Sequence, residues 1–442
     1  MSSRAANPLG AATLRAGLPA AEPAAEPSAA RGAGFRRRLR RWFWHRVMRT
    51  LTLLYSMAIS IGKKLGRRPR RRSHGRLEVL LTGRFEAENW ARAHLRPLAA
   101  AGACCRVTVV STFPVPDMPK VAAVYPPAWL IRILGPTPAR LIAFVCVAVL
   151  RRPDVVGGFH LLVNGLTAIA LGRLIGARSA YFSVGGIAEV RGGGVEGESP
   201  FRKMETPDGI VECRLMRAVD ACDLVITMGT GKAAFFREAG VTATMLVIPG
   251  GIDLNEFKPT AQRRTIDILF VGRLAEVKRL DVLLRAIELA RRDVPHLTAA
   301  VVGDGELRAS LEQLAGTLAI DDCVDFLGYQ RRPVDWLRRA RIFALTSRSE
   351  GLSLAMMEAM LCGCVPVVSD VGDLADLVAD GVNGCLVRST RPEDFSRRFV
   401  ELLAGPERLA SLSRSARRSA SRYGLAELAG TWDAALRRMS RR

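Results

Sequence analysis

The sequence has little of what metal- and disulfide-organised proteins need. It holds only 5 histidines, and its nine cysteines are an odd, scattered set: Cys104, Cys105, Cys146, Cys213, Cys222, Cys323, Cys362, Cys364 and Cys385. No pair of CxxC knuckles occurs, which excludes a zinc-ribbon framework, and the adjacent Cys104–Cys105 and spaced Cys362/Cys364 read as small buried side chains. There is no Asn-x-Ser/Thr acceptor, so the compartment expected is reduced and cytosolic. No Asp-x-Asp marks a strand end, and no metal or other cofactor is expected. Long apolar runs are missing too: the longest uncharged stretch of the basic N-terminal segment, Thr50–Gly62, is shorter than the roughly 20 residues of a spanning helix. Lysine is scarce, with 7 against 58 arginines.

What is there is enough for two domains: 442 residues, 49% of them hydrophobic. The net charge of +23 is mainly local, because residues 1–75 carry 17 Arg and Lys against only Glu22 and Glu26. That distribution argues against a whole-surface nucleic-acid binder. Residues 1–34, rich in Ala and Pro, are expected to be disordered; they lack the h-region of a secretory signal, and a later translation start stays open. Residues 35–75 are a basic amphipathic segment in which Trp42, Phe43 and Trp44 stand among arginines. Such a segment suits a helix lying on an anionic membrane surface; the competing reading is a helix packed on the globular body with a solvated basic tail.

From residue 76 onward strands and helices alternate. LEVLLT, CRVTVVS, DVVGGFH, ARSAYFSV and DLVITM read as strands of a domain over 76–250, followed by a polar linker at 251–264. The same grammar restarts with IDILFVG, LTAAVVG, VDFLG, RIFALTS and VPVVSD, over 265–405, and amphipathic helices fill 406–442, where they could cross back to the first domain. The fold class expected is α/β, two doubly wound Rossmann-like domains facing across a cleft, with ligands at the carboxyl ends of the strands.

Two features in the second domain carry chemistry. Glu350 lies on a strand-to-helix turn, and Glu358 eight positions later. Eight helical residues span about 12 Å, too far for a hydrolytic acid/base couple and suited to two ends of one extended ligand. Upstream, Gly272 and Arg273 end a strand and Lys278 opens the next helix, where a fork and a point charge can hold phosphate. Two attractive fragments fail. Gly229-Thr230-Gly231-Lys232 lacks the first glycine and the Ser/Thr of a triphosphate loop, and Gly303-Asp304-Gly305 has Arg308 where the third glycine belongs.

In their order and spacing, IPGGIDLNEFKP (248–259), FVGRLAEVKRLDVLLRA (270–286), VVGDGELRASL (301–311), VDFLGY (324–329), LTSRSEGLSLAMMEAMLCGCVPVVSDVG (345–372) and DGVNGCLV (380–387) closely resemble glycosyltransferase family 4, of GT-B fold. The resemblance implies a retaining transfer from a nucleotide diphosphate sugar, with Glu350 on the donor sugar, Glu358 on the ribose, and Arg273 and Lys278 on the diphosphate. Gly272, Gly351 and Leu352 would meet the donor through their backbone, and Gly328 and Tyr329 would line the base. Where the family commonly has Gly-Gly-Glu, this chain has Gly372, Asp373 and Asp376. The first domain matches more loosely. The family's Asp-Val-Val-His-Ala-His becomes DVVGGFH, leaving His160 one position displaced. Gly83, Arg84, His160, Glu189 and Arg191 are the candidates for the acceptor and sugar side, the last two on a glycine-rich loop at 184–198. The function expected is a hexosyl- or related transferase of bacterial polysaccharide or glycolipid synthesis, peripheral on the cytoplasmic face of the membrane, with a lipid-linked acceptor. The alternative is a catalytically impaired nucleotide-binding protein at that surface.

Overall fold

The computed structural model describes residues 28–65, 76–196 and 200–441. The disorder expected of residues 1–27, and the basic run at 66–75, lie outside them. The segment 28–34, expected to be disordered, instead forms the first turns of a 38-residue helix, α1 (Ser28–Leu65).

The first domain then runs β1 (Leu77–Thr82), α2 (Glu88–Ala100), β2 (Cys104–Val110), β3 (Val121–Val124), α3 (Ala128–Leu134), α4 (Pro136–Arg151), β4 (Val155–Phe159), α5 (Leu166–Ile175), β5 (Arg178–Ser183), α6 (Gly209–Asp220), β6 (Leu224–Thr227), α7 (Thr230–Glu238) and β7 (Thr244–Val247). All seven strands are parallel, in the order β3-β2-β1-β4-β5-β6-β7. Alternation along the strands divides the core. Val79, Val107, Val155, Phe182 and Ile226 face α2, whereas Leu80, Val110, Val156, Tyr181 and Val225 face the opposite helices.

The second domain repeats the scheme with β8 (Ile266–Val271), α8 (Leu280–Asp293), β9 (Ala299–Val302), α9 (Arg308–Thr317), β10 (Val324–Gly328), α10 (Val334–Leu337), β11 (Ala340–Leu345), α11 (Leu354–Leu361), β12 (Val365–Ser369), β13 (Cys385–Val387) and α12 (Pro392–Ala404). Its sheet is parallel, ordered β10-β9-β8-β11-β12-β13. β8 is buried on both faces, which is why IDILFV reads as an unbroken apolar run. α8 shows the other period: Leu280, Leu283, Leu284, Ile287 and Ala290 recur on its core face and are buried.

The chain ends in α13 (Pro406–Ala420) and α14 (Leu425–Arg441). α14 leaves the second domain at a backbone bridge between Ile252 and Gly424 and buries Leu428, Trp432 and Leu436 in the core of the first. The chain thus crosses between domains twice, at the same place.

α1 is shared between the two sequence readings. One face packs on the body: Met48 and Ile59 are buried with α5 and α6 residues, and Tyr55 bonds Thr167 at 2.8 Å. Asp208, the N-cap of α6, also takes hydrogen bonds from His45 Nδ1 at 2.7 Å and Arg49 Nε at 2.8 Å. Burial alone would raise the Asp208 carboxyl, but these partners hold it below its usual value. The outer face leaves Trp42, Phe43, Leu54 and Met57 exposed. No helix among the described residues is long and apolar enough to cross a membrane.

Candidate active site

In each sheet the strand order reverses direction next to the first strand, between β1 and β4 and between β8 and β11. Loops leaving two such strands diverge to opposite faces and open a crevice, so the loops after β8 and β11 frame the candidate site. The loop after β8 carries Gly272, Arg273 and Lys278, and the loop after β11 carries Ser347, Glu350 and Gly351. Lys278 Nζ and Glu350 Oε1 meet at 2.6 Å, and Ser347 Oγ donates to the same oxygen at 2.6 Å. Thr346 Oγ1 bonds the carbonyls of Lys278 and Arg279, which ties one loop to the other. Two close approaches fix the backbone here. A Cβ on Gly303 would lie 1.8 Å from the Gly272 carbonyl oxygen, and one on Gly372, at φ +60, 1.9 Å from that of Glu350.

Glu350 stands on the strand-to-helix turn, before α11, which begins at Leu354 behind the Ser353 cap, so only part of the stretch to Glu358 is helical. Glu358, on the second turn of α11, is 4% exposed. Burial pushes its carboxyl up from 4.5 to about 8, with a smaller contribution from the charge of Glu256. It lies in the wall of a cleft of about 980 Å³ between the domains, which also takes in Gly272, Arg273, Gly303, Tyr329 and, from the first domain, Arg92 and Arg96. Arg273 and Tyr329 are exposed there. Lys278, Glu350 and Gly351 form a separate cluster on the same two loops, and Gly328, buried at φ +66, sets the turn before Tyr329. Among the described residues the amides of Gly351 and Leu352 have no protein hydrogen-bond partner. No group of His, Cys, Asp and Glu among the described residues could hold a metal ion.

Residues 252–419 match the model of a protein family described as glycosyl transferases group 1. That stretch belongs to the group 1 glycosyl transferases. The chain is 36% identical over 234 residues to D-inositol 3-phosphate glycosyltransferase 2 of Catenulispora acidiphila, an alignment covering 47% of this chain and 54% of that protein. The D-inositol 3-phosphate glycosyltransferase of Thermobispora bispora is 34% identical over 220 residues, 44% and 51% of the two chains. The chain thus spans about half the length of these curated relatives. Among solved structures, Anabaena HepE in complex with UDP-glucose superposes with TM-score 0.64 at 19% identity, covering 81% of this chain and 99% of that one. Sucrose-phosphate synthase of Thermosynechococcus elongatus gives 0.68 at 18%, covering 82% and 99%. The fold is therefore of GT-B type over both domains.

Outside the group 1 region, the first domain departs from the sequence expectation in an instructive way. A Cβ on Gly157 would lie 2.6 Å from Leu81 Cδ2, and one on Gly158 2.5 Å from the Asn164 carbonyl carbon. Side chains are excluded at both positions, and the histidine comes after the strand, at His160, with φ +64. Its Nδ1 meets Glu189 Oε1 at 2.7 Å. Glu189, expected to touch an acceptor, is 4% exposed and turned inward, where it accepts from the Leu161 amide, the Tyr181 hydroxyl and the Gly185 amide. Burial would raise its pKa, but the charge and hydrogen bond of His160 and the other donors outweigh that and lower it. Glu189 supports His160 and is turned away from solvent. Arg191 is exposed with its guanidinium over the Phe235 ring, and Arg84 is exposed and paired with Glu86. Neither lies in the cleft wall. Gly83 is buried against Phe159, where a Cβ would come within 2.8 Å.

Asp373 and Asp376, the departures from the family pattern, bridge the two domains. Asp376 accepts from the Thr230 amide and hydroxyl at 2.5 Å each, and Asp373 Oδ1 from the Gly231 amide at 3.1 Å. The sequence holds no local signal for these contacts, because the partners lie more than 140 residues apart.

Proposed function

We propose that the protein is a retaining glycosyltransferase that moves a sugar from a nucleotide diphosphate donor to an acceptor hydroxyl. The observation that carries this reading is that Arg273 and the Lys278–Glu350–Ser347 cluster stand on the two loops at one sheet's switch point, with buried Glu358 on the helix that follows. Arg273 and Lys278 neutralise the departing diphosphate, which takes the acceptor proton on the face it leaves; the open amides of Gly351 and Leu352 add donors. A phosphate next to Lys278 competes for the ammonium, and Glu350 is then available to the sugar hydroxyls. The Glu358 carboxyl faces the ribose, and Tyr329 the base. Catalysis rests on placement and charge, with no strong base required. A thermal-shift screen against UDP-, ADP- and GDP-sugars tests the donor assignment. A rise in melting temperature with one of them, lost in Lys278→Ala, is the expected result, and no response to any of the three would remove the reading.

The acceptor we assign is lipid-linked, at an anionic membrane surface. α1 has no acidic residue, and neither do residues 118–153, which contain α3 and α4. Both helical segments lie on the sheet face opposite α2, flanking α5. Trp42 and Phe43 on α1, and Trp129, Ile133 and Leu150 on α3 and α4, are exposed beside Arg132, Arg151 and Arg152. Exposed aromatics and aliphatics on helices that carry cations and no acidic residue of their own match anionic headgroups, although Glu205 pairs with Arg37 and Arg40 of α1. The curated relatives are named for D-inositol 3-phosphate, a soluble acceptor, and the apolar face has no use in that reading. Flotation with phosphatidylglycerol vesicles decides: binding that falls in both Trp42→Ser and Trp129→Ser supports the assignment, and absence of binding by the full chain removes it.

A further inference from the structure

The segment Gly229–Lys232, which fails as a triphosphate loop, has a different place in the fold. It opens α7 in the first domain and faces the loops of the second. Gly229 has no room for a side chain, since its Cβ would lie 2.1 Å from Asp373 Cγ. The Thr230 and Gly231 amides are taken by Asp376 and Asp373. Lys232, the residue after them, is 8% exposed.

Its ammonium group is held loosely. The ion pair found for it is with Asp373 Oδ2 at 3.5 Å, longer than the 2.7–2.9 Å of a charge-assisted hydrogen bond, and that buried oxygen has no hydrogen-bond partner. A mostly buried lysine whose counterion stands this far off makes a weak contact with it, which leaves the ammonium available to a closer anion. The ammonium nitrogen also rests against the second domain's donor loop: a Cβ on Gly351 would be 2.8 Å from it. Gly351 follows Glu350 directly, and its amide is one of the open donors of the site. On the other side the same nitrogen lies 3.2 Å from where a Gly186 Cβ would be, on the loop after β5. Glycines at 186 and 351 thus clear the space into which one lysine reaches from the first domain, and Gly229 makes room for its partner Asp373.

We propose that Lys232 is a third cationic contact of the donor diphosphate, delivered across the cleft by the first domain, and that Asp373 holds it ready while the site is empty. The inference rests on the nucleotide diphosphate reading of the site. When the glycosidic C–O bond breaks and its electron pair passes to the diphosphate, the ammonium stabilises the charge that develops there. Because Lys232 and Arg273 come from different domains, both reach one diphosphate only when the cleft is closed. Asp373 and Asp376 thereby acquire a role that the family's Gly-Gly-Glu would not supply: they orient the end of α7 that carries the lysine.

Calorimetric titration of the full chain with UDP, and with uridine as the phosphate-free probe, tests this. Lys232→Met is expected to weaken UDP at least tenfold and to leave uridine unchanged, and Lys232→Arg to retain most of the UDP affinity. Asp373→Asn keeps the oxygen that meets Gly231 and removes the competing charge, so UDP affinity should stay the same or rise. If Asp373→Asn weakens UDP as Lys232→Met does, the pair is only a latch between domains and the proposal is overturned; unchanged UDP binding by Lys232→Met overturns it too. Should Lys232→Met fail to fold, the Asp373→Asn and Lys232→Arg titrations still decide. Wild type that binds none of UDP, ADP and GDP would sink the donor reading itself, a separate outcome.

Discussion

Replacing Glu358 by glutamine is the perturbation whose size follows most directly from the structure. The carboxyl is buried in the cleft wall and titrates at about 8, against 4.5 in an exposed carboxyl. The neutral form is therefore the one that the empty fold accommodates. The stability it contributes is fully present below pH 4.5, because both folded and unfolded chains are then protonated. It is lost as pH rises towards about 8, because the unfolded chain ionises first. At about 1.4 kcal/mol per pH unit, the loss between those limits is at most about 5 kcal/mol. Water entering the open cleft with the carboxylate reduces this, and about 2 kcal/mol is a fair expectation. Glutamine does not titrate and fills the same volume. Melting curves of wild type and Glu358→Gln should coincide near pH 5 and separate by pH 8, the variant melting higher. At about 2–4 °C per kcal/mol for domains of this size, the separation is about 4–8 °C. Melting temperatures that stay parallel from pH 5 to 8 would mean that burial does not raise the Glu358 carboxyl. The same variant should bind a nucleoside diphosphate more weakly, because an amide replaces the group that faces the ribose.

Three further outcomes are expected. Lys278→Ala should lower turnover by a factor of about 100 to 1,000, the loss typical of one oxyanion-stabilising donor, measured as nucleotide release at saturating donor; activity within threefold of wild type would contradict its assignment. Glu189→Gln should lower turnover and also destabilise the first domain, with a difference from wild type that is present above pH 4.5 and disappears as pH falls through the depressed pKa of Glu189; equal stability at pH 7 would mean that the His160 support is idle. Asp208→Ala removes the α6 cap, worth about 0.5–2 kcal/mol, together with the anchor of His45 and Arg49, so protease cleavage within α1 should accelerate. Unaltered cleavage would show that α1 is held elsewhere.

The candidate site was legible in the sequence because each of its pieces is a single loop at the end of a buried parallel strand. Gly272–Lys278 and Ser347–Gly351 are contiguous stretches, and the strand pattern alone places them at the switch point. The short strands β3, β7 and β13 were not legible: three or four residues, in β3 and β7 only partly buried, leave too little pattern to read. The burial of Glu189 was not legible for another reason. A glutamate in a glycine-rich loop looks exposed, and only the folded loop turns it onto Tyr181 and His160. The bridge from Asp373 and Asp376 to α7 needs both domains in place, so no local pattern announces it. The acid-free stretches of α1 and of α3–α4 were readable one at a time, but their common side of the sheet was not.

Transfer from a nucleotide diphosphate sugar with retained configuration can be watched by proton NMR of the anomeric signals during turnover of an α-linked donor, with the nucleotide product followed in the same tube. Release of the nucleoside diphosphate and an α-linked product are expected, with the signal growing about 100 to 1,000 times more slowly in Lys278→Ala. A β-linked product, or release of the nucleoside monophosphate, would contradict such transfer.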